Sequence, residues 1–461
     1  MNSFQDQHRD PAEPRIVIIG GGFAGLNVAQ GLADAPVSIV LIDRHNYHLF
    51  QPLLYQVATA ELSPANIATP IRNILCKQKN ASVALGEVTA IDLQKNSVEF
   101  DGGRIDYDYL VIAMGVRQSY FGHDELKRYA PGLKSIDDAL EIRRRVLLAF
   151  EEAEWEADDA SRRAKLTFVI VGGGPTGVEL AGAIMDVASG TLPAEFRKTD
   201  TSTARVILVH GAPRLVPSMP ADLGQKVQQA LENMGVEIRL DAHVTDVDDD
   251  GVVIGEERLA AENVFWAAGV QGHSLAATLD VELDRGGRIV VGPDLTIPEF
   301  PRVFVIGDAA HAIDSQTKQP VPGLAQGAIQ SGRFVAGVIL NELQQAEPVT
   351  RPAFTYRDKG SMAMIGRGKA VAAIGGRHFG GLLGWLAWGL VHIMFLIGFG
   401  NKLMVMLEWF WNYVRHTRSA RLITGDPEIH IKRLREQSVK LTSSTETSSN
   451  SQDVNRDSAD G

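Results

Sequence analysis

The chain has 461 residues, 45% of them hydrophobic and 22% charged, with a formal net charge of −11. That balance fits two or three globular domains and excludes a disordered, collagenous or many-helix membrane protein. The acidic charge leaves no electrostatic footprint for nucleic acid, and a single cysteine, Cys76, excludes an internal disulfide, a redox pair or a Cys-rich zinc site. The chain opens on a polar arm, residues 1–14, without the apolar stretch of a secretory signal. A reducing, cytosolic setting is expected for the bulk of the protein. Residues 15–19 then read as a buried parallel strand. Gly20, Gly22 and Gly25 form a GxGxxG turn, residues 26–32 a helix, and residues 37–42 a second strand ending at Asp43. Residues 109–113 are a further strand, and a charged connector over residues 136–164 follows. The same grammar then returns after about 150 residues, one internal duplication rather than a short-period repeat. Residues 166–171 are a strand, Gly172, Gly174 and Gly177 its turn, residues 178–188 a helix and residues 205–209 the next strand. This unit closes at Gly269, and a strand over residues 303–306 runs into Asp308. After Pro352 the chain becomes rich in Gly, Trp, Met and Leu, and from Thr442 it is a Ser/Thr-rich tail expected to be disordered.

A strand that ends in GxGxxG and opens a helix places a pyrophosphate on unpaired helix N–H groups, with the glycines allowing the tight turn and close approach. In the first copy Asp43 follows Gly25 by 18 residues, where an acid can take both ribose hydroxyls of an adenosine. In the second copy that place falls to His210, followed by Gly211. Without a carboxylate nothing repels a 2′-phosphate, and Arg205 or Arg214 could attract one; His210 could also hydrogen-bond a ribose hydroxyl. NADPH therefore stays open beside NADH. Two dinucleotide sites in one chain suit a flavin and a nicotinamide, between which a hydride can pass.

Four further stretches narrow the reading. The run from Asp43 to Ala58 (DRHNYHLFQPLLYQVA), the segment from Val305 to Ala310 (VIGDAA), the segment from Ala325 to Gln330 (AQGAIQ) and the segment from Gly360 through Lys369 (GSMAMIGRGK) resemble, in this order, the type II NADH dehydrogenases of the two-dinucleotide-binding-domain flavoprotein superfamily. The resemblance covers about residues 15–436. It implies an FAD-dependent enzyme that takes hydride from NADH and passes two electrons to a membrane quinone, without proton pumping, in a respiratory chain. It also implies that Asp308 binds the ribityl chain and that Glu179 lies near nicotinamide and flavin, linked to proton delivery. Gln326 and Gln330, at i and i+4 on one helix face, would contact flavin and quinone, with Ala325 beside the flavin and Lys369 in the C-terminal signature. A buried Glu179 would have a raised pKa unless Lys369 pairs with it. A helix starting near Leu324 would aim its positive end at the flavin. The related disulfide and sulfide:quinone reductases need cysteines that this chain lacks. No metal ligation is expected, and His45 and His48 read as packing or hydrogen-bonding residues.

Residues 379–400 (FGGLLGWLAWGLVHIMFLIGFG) are long enough to span a bilayer, yet they carry six glycines after Phe379 and the ionisable His392. Between 401 and 436 seven Lys/Arg face four Asp/Glu, a local excess of positive charge beside Trp, Met and Leu. That combination suits a monotopic helix lying in the interface of an anionic leaflet. The expected class is α/β. Residues 15–135 and 282–345 form a discontinuous FAD domain and 136–281 an NAD(P)H domain, both Rossmann-like. A helical membrane-associating region, 346–436, and a disordered tail, 437–461, complete the chain. The resemblance adds a homodimer, attached peripherally to the cytoplasmic side of the inner membrane. Two rival readings are an NADPH-dependent flavin reductase with a soluble acceptor and a non-catalytic nucleotide-sensing adaptor at the membrane.

Overall fold

Consecutive β-branched and aliphatic residues with no polar alternation belong in strands covered on both faces, and two sheets are built this way, one wholly parallel and one parallel but for an antiparallel edge strand. The computed structural model describes residues 13–345, 350–415 and 418–425. Most of the N-terminal arm and the whole of the tail expected to be disordered lie outside the described residues. Residues up to Arg421 form one compact unit, and a second unit begins at Leu422.

In the first sheet β1 (Arg15–Ile19) is central, flanked by β2 (Ser38–Asp43) and then β3 (Ala81–Leu85) on one side and by β4 (Tyr109–Ile112) on the other. Helix α1 (Phe23–Gly31) follows β1, and the short α2 (Leu54–Ala58) lies between β2 and β3 in sequence. The connector over 136–164 is itself structured. Its main element, α3 (Ile136–Trp155), opens with a reciprocal cap in which Ser135 Oγ accepts from Asp138 N at 3.1 Å and Asp138 accepts from Ser135 N at 2.9 Å. The second sheet is four parallel strands: β5 (Thr167–Val171) lies between β6 (Arg205–Val209) and β8 (Asn263–Trp266), and β7 (Glu237–Arg239) lies outside β6. Helix α4 (Pro175–Asp186) follows β5. The chain then returns to the first sheet, where β9 (Thr296–Ile297) and β10 (Phe300–Val305) extend the edge beyond β4, and α5 (Ala325–Gln344) packs on α1.

The C-terminal region carries a small sheet ahead of the expected helices. It begins with a three-stranded antiparallel sheet, β11 (Ser361–Gly366), β12 (Lys369–Ile374) and β13 (Arg377–Gly380). Gly368, at φ +69°, allows the tight turn between β11 and β12. Small residues let β11 lie directly on α4: a Cβ on Gly182 would overlap the Ile365 carbonyl. The apolar run over 379–400 is broken in two. Helix α6 (Gly381–Phe395) stops before Gly398, which adopts φ +89°, and α7 (Phe399–Arg415) begins anew. Among the described residues no helix is long and apolar enough to cross a membrane.

The α6–α7 pair has two unlike faces. Trp388, Leu396 and Val405 are buried in the core that also holds α2, α3 and α4. His392 stacks on Trp388 with ring centres 4.2 Å apart, its Nδ1 lies 2.7 Å from Trp388 O, and burial pushes its imidazole down to about 4. The opposite face leaves Leu383, Leu390, Phe399 and Phe410 at 66, 65, 83 and 66% exposure. Tertiary bonds hold the pair to the body: Trp409 Nε1 donates to Gln56 Oε1 at 2.9 Å and Asn401 Nδ2 to Thr69 Oγ1 at 3.1 Å.

Candidate active site

The two glycine turns share one geometry. Gly20 and Gly172 adopt φ +104° and +114°, tucked against the backbone of Ala113 and Ala267, where a side chain would collide. A Cβ on Gly25 would overlap the Gly20 carbonyl, and one on Gly177 the Gly172 carbonyl, so each helix packs closely on its strand. Gly22 and Gly174 instead face open space, at the N-caps of α1 and α4, and no side chain caps either helix. Free N–H groups beside a bare glycine make a cradle for a pyrophosphate, and both loops fit a dinucleotide.

Beside the first cradle, Asp43 accepts from Gly21 N at 2.6 Å and from His45 N at 2.7 Å. His48 Nδ1 lies 3.0 Å from Gly21 O, and burial pushes its imidazole down. His48 bonds through its ring, whereas His45 bonds through its backbone N–H and packs its ring on Tyr47. Beside the second cradle, His210 Nδ1 accepts from Gly173 N at 3.1 Å, the counterpart of the Asp43–Gly21 bond. Its Nε2 is enclosed without a partner, so the ribose contact expected of His210 is not available in this conformation.

Asp308 sits on a short turn after β10, anchored where Gly307 N donates to Ser331 Oγ of α5 at 3.2 Å. Burial pushes its carboxyl up, opposed by the positive charges of Lys134 and Arg288. Burial likewise pushes the Lys134 ammonium down, opposed by Asp308. Lys134 has no recognisable motif around it and was not foreseen; only the fold brings it to Asp308. Ala325 is the first residue of α5, whose N-cap Leu324 provides no side-chain bond, so its first-turn N–H groups are free for a ligand. The expected glutamine pair divides. Gln326 Oε1 is enclosed without a partner, whereas Gln330 donates to Arg357 O and accepts from Arg357 N, both at 3.0 Å. Gln330 thus clamps α5 to the segment before β11. Gly269, at φ +72°, lies under the Phe121 ring, 2.6 Å from where its Cβ would be, and its carbonyl accepts from Gln118 Nε2 at 2.7 Å.

Glu179 is on the early part of α4, and its Oε1 accepts from Met364 N of β11 at 3.2 Å. Burial pushes this carboxyl up to about 8, and that one backbone bond is the opposing effect. The conditional pairing with Lys369 is not made. Lys369 is exposed at the start of β12, and its charge acts on Asp186, two helical turns along α4 from Glu179. Tyr55, from α2, faces the same interior. Burial pushes its phenol well up, the negative charges of Glu179 and Glu61 add to this, and its hydroxyl accepts from Gln56 Nε2 at 3.1 Å. Tyr55 lay within a recognised motif but carried no signal of its own. Among the described residues no cluster of His, Cys, Asp and Glu could hold a metal ion.

The family described as pyridine nucleotide-disulphide oxidoreductase matches residues 14–332. The type II NADH:quinone oxidoreductase Ndh of Mycobacterium tuberculosis is 46% identical over 457 residues, covering 96% of this chain and 97% of the relative. A second from that organism, NdhA, is 46% identical over 426 residues, covering 89% of each. The type II NADH:quinone oxidoreductase of Staphylococcus saprophyticus is 29% identical over 377 residues, covering 80% of this chain and 91% of the relative. The fold matches the structure of NDH2 from Plasmodium falciparum in complex with NADH, at a TM-score of 0.82 and 20% identity, over 90% of this chain and 100% of that one.

Proposed function

The chain belongs to the pyridine nucleotide-disulphide oxidoreductase family and, within it, to the type II NADH:quinone oxidoreductases; from that premise we propose which of its residues do the work. The enzyme carries two electrons from NADH to a quinone by way of FAD and pumps no protons. FAD, when bound, supplies the ring that accepts hydride and releases electrons. The Gly20–Gly25 loop holds its pyrophosphate, Asp43 its adenosine ribose, and Asp308, with Lys134 opposite, the ribityl end. The free N-terminus of α5, from Ala325, favours negative charge on the reduced ring. The loop at Gly172, Gly174 and Gly177 takes the nicotinamide dinucleotide, and Gly269 shapes the wall beside Phe121.

Glu179 is the acid of the quinone half-reaction. The observation that carries this is a carboxyl raised to about 8 with Oε1 occupied by Met364 N–H, so that at neutral pH its proton sits on Oε2. Gln326 offers its Nε2 amide N–H to a quinone carbonyl, while its enclosed Oε1, an acceptor, can take only a donor. Gln330 and Lys369 support the site from outside, through Arg357 and Asp186 respectively. Anaerobic mixing of the yellow protein with NADH tests the scheme. The oxidised-flavin absorbance should bleach rapidly and return when quinone is added; failure to bleach would leave the adaptor reading.

In the same reading the apolar outer face of α6 and α7 lies in the bilayer interface, where quinone is drawn from. Lys402, whose Nζ donates to Met394 O at 3.0 Å, sits at the join of the two helices. The enzyme then works peripherally on the cytoplasmic side of the inner membrane, as a homodimer; side and dimer rest on the family resemblance. Flotation with anionic vesicles and sedimentation in detergent test the two parts separately.

A further inference from the structure

The two dinucleotide sites of this chain differ at the position that reads the adenosine 2′ substituent. In the first, a carboxylate accepts from the second glycine's N–H, Gly21 to Asp43 at 2.6 Å. In the second, the same bond is made by an imidazole, Gly173 to His210 Nδ1 at 3.1 Å. A ring nitrogen that accepts carries no proton, so His210 is neutral and its proton is on Nε2. That nitrogen is enclosed by protein, and burial pushes the imidazole further down. His210 therefore presents neither the negative charge that rejects a 2′-phosphate nor the pair of acceptors that holds free 2′- and 3′-hydroxyls.

The cations nearby are not equivalent. Arg205 lies at the far end of β6 and is neutralised by Glu237, through bonds of 2.8 and 2.9 Å. Arg239 pairs with Glu257 at 2.7 Å. Arg214, in the loop directly after His210, gives two N–H groups to carbonyls, Met219 O at 2.9 Å and Pro217 O at 2.6 Å. Among the described residues no carboxylate pairs with it, so three donors and a full charge remain. The exposed Asp241 and His243 act on His210 in opposite senses. An arginine just past the second strand is where a dinucleotide fold accommodates a 2′-phosphate.

We propose that this chain oxidises NADPH as well as NADH, His210 removing the repulsion of the 2′-phosphate and Arg214 attracting it. The reaction balances as the known one does. NADPH gives up a hydride from its nicotinamide and becomes NADP⁺. The quinone gains that electron pair, the hydride's proton and one proton from solvent, and becomes quinol.

The inference rests on the NADH:quinone reading, and one set of measurements separates the two. The purified holoenzyme is assayed with a soluble quinone analogue, and kcat/KM is compared for NADH and NADPH at one pH and salt. A preference for NADH of less than about a hundredfold supports the proposal; a larger one overturns it. Failure with NADH itself would instead sink the functional reading. His210→Asp, which restores the acid, should lower kcat/KM for NADPH at least about tenfold relative to NADH, and Arg214→Gln should shift the ratio the same way. A ratio moved by neither variant overturns the assignment. Equilibrium dialysis of the unaltered holoenzyme gives a readout without turnover: 2′,5′-ADP should bind at least as tightly as 5′-AMP, and weaker binding counts against the proposal.

Discussion

Glu179 is held in a state that water would not allow. Its carboxyl ionises near 4.5 when solvated and near 8 in the fold, so at pH 7 the folded protein keeps a proton that the unfolded chain releases. For quinone reduction this means a rate that falls as pH rises through about 8, where the proton on Oε2 is lost. Glu179→Gln should remove that limb of the pH profile. It should slow reoxidation of the reduced flavin by quinone about tenfold to hundredfold, far more than it slows reduction by NADH. Stopped-flow measurement of the two half-reactions on both sides of that ionisation, about pH 6–9, decides this, and equal slowing of both would remove Glu179 from proton transfer. The same raised value has a cost in stability. Below pH 4.5 both folded and unfolded forms are protonated; between 4.5 and about 8 only the unfolded chain ionises, so stability is progressively lost as pH rises. The glutamine variant should therefore be more stable than the parent at pH 8, by on the order of 1–3 kcal/mol in chemical denaturation, with the gap closing toward pH 5.

At the scale of elements, the contact between β11 and α4 sets where that proton sits. Met364 N bonds Glu179 and Arg367 N bonds Asp186 at 3.1 Å, with the Ile365 carbonyl against Gly182 between them. Gly182→Ala would force the strand off the helix. The expected cost is about 1–3 kcal/mol, as for an overpacked core, together with a lower Glu179 pKa as water enters. Thermal melts and the pH profile of quinone reduction would both have to stay unchanged for this account to fail. The outer faces of α6 and α7 carry a different expectation. Leu383→Asn with Leu390→Asn changes only exposed side chains, and each loses about 1.5–3 kcal/mol of apolar burial if the face enters a bilayer. Vesicle binding should fall at least about a hundredfold with the melting temperature kept. How far these elements could be read in advance follows from their physics. The glycine turns and both central strands were legible because their patterns are local: β1, β2, β5 and β6 are uninterrupted apolar runs, and Gly20 and Gly172 are the positions where a positive φ is needed. The C-terminal sheet was not, since SMAMIG and KAVAAI are too small and too uniform to show a period; the first becomes a strand by packing on Gly182 and the second by pairing with the first. The roles of Gln330, Lys134 and Lys369 were equally hidden. Each depends on a partner distant in the chain (Arg357, Asp308 and Asp186).

For the molecule as a whole, the C-terminal helices are part of the core as well as a surface. Trp388, Leu396 and Val405 are buried among residues of α2, α3 and α4, and Gln56, next to Tyr55, accepts from Trp409. Arg143 of α3 ties the same region together: it donates to Val57 O at 2.8 Å, Leu62 O at 3.1 Å and Ala420 O at 3.0 Å, joining the first sheet's long connection to the end of this unit. A membrane anchor added to a finished domain could be cut away cleanly. The α6–α7 pair cannot, because removal would expose Trp388's pocket, free three carbonyls' shared donor from one partner and unmoor the segment that carries Tyr55. Burial of three large side chains alone is worth about 5–9 kcal/mol, comparable with the whole stability of a domain. A chain ending before Gly381 is therefore expected to aggregate or lose its flavin rather than yield a soluble, active enzyme. The Leu383 and Leu390 substitutions should instead release an active, folded protein from vesicles. Measuring flavin content, melting temperature and NADH oxidation on both separates an anchor from a structural element; a truncated chain that keeps its flavin and its melting temperature would show that the helices serve the membrane alone.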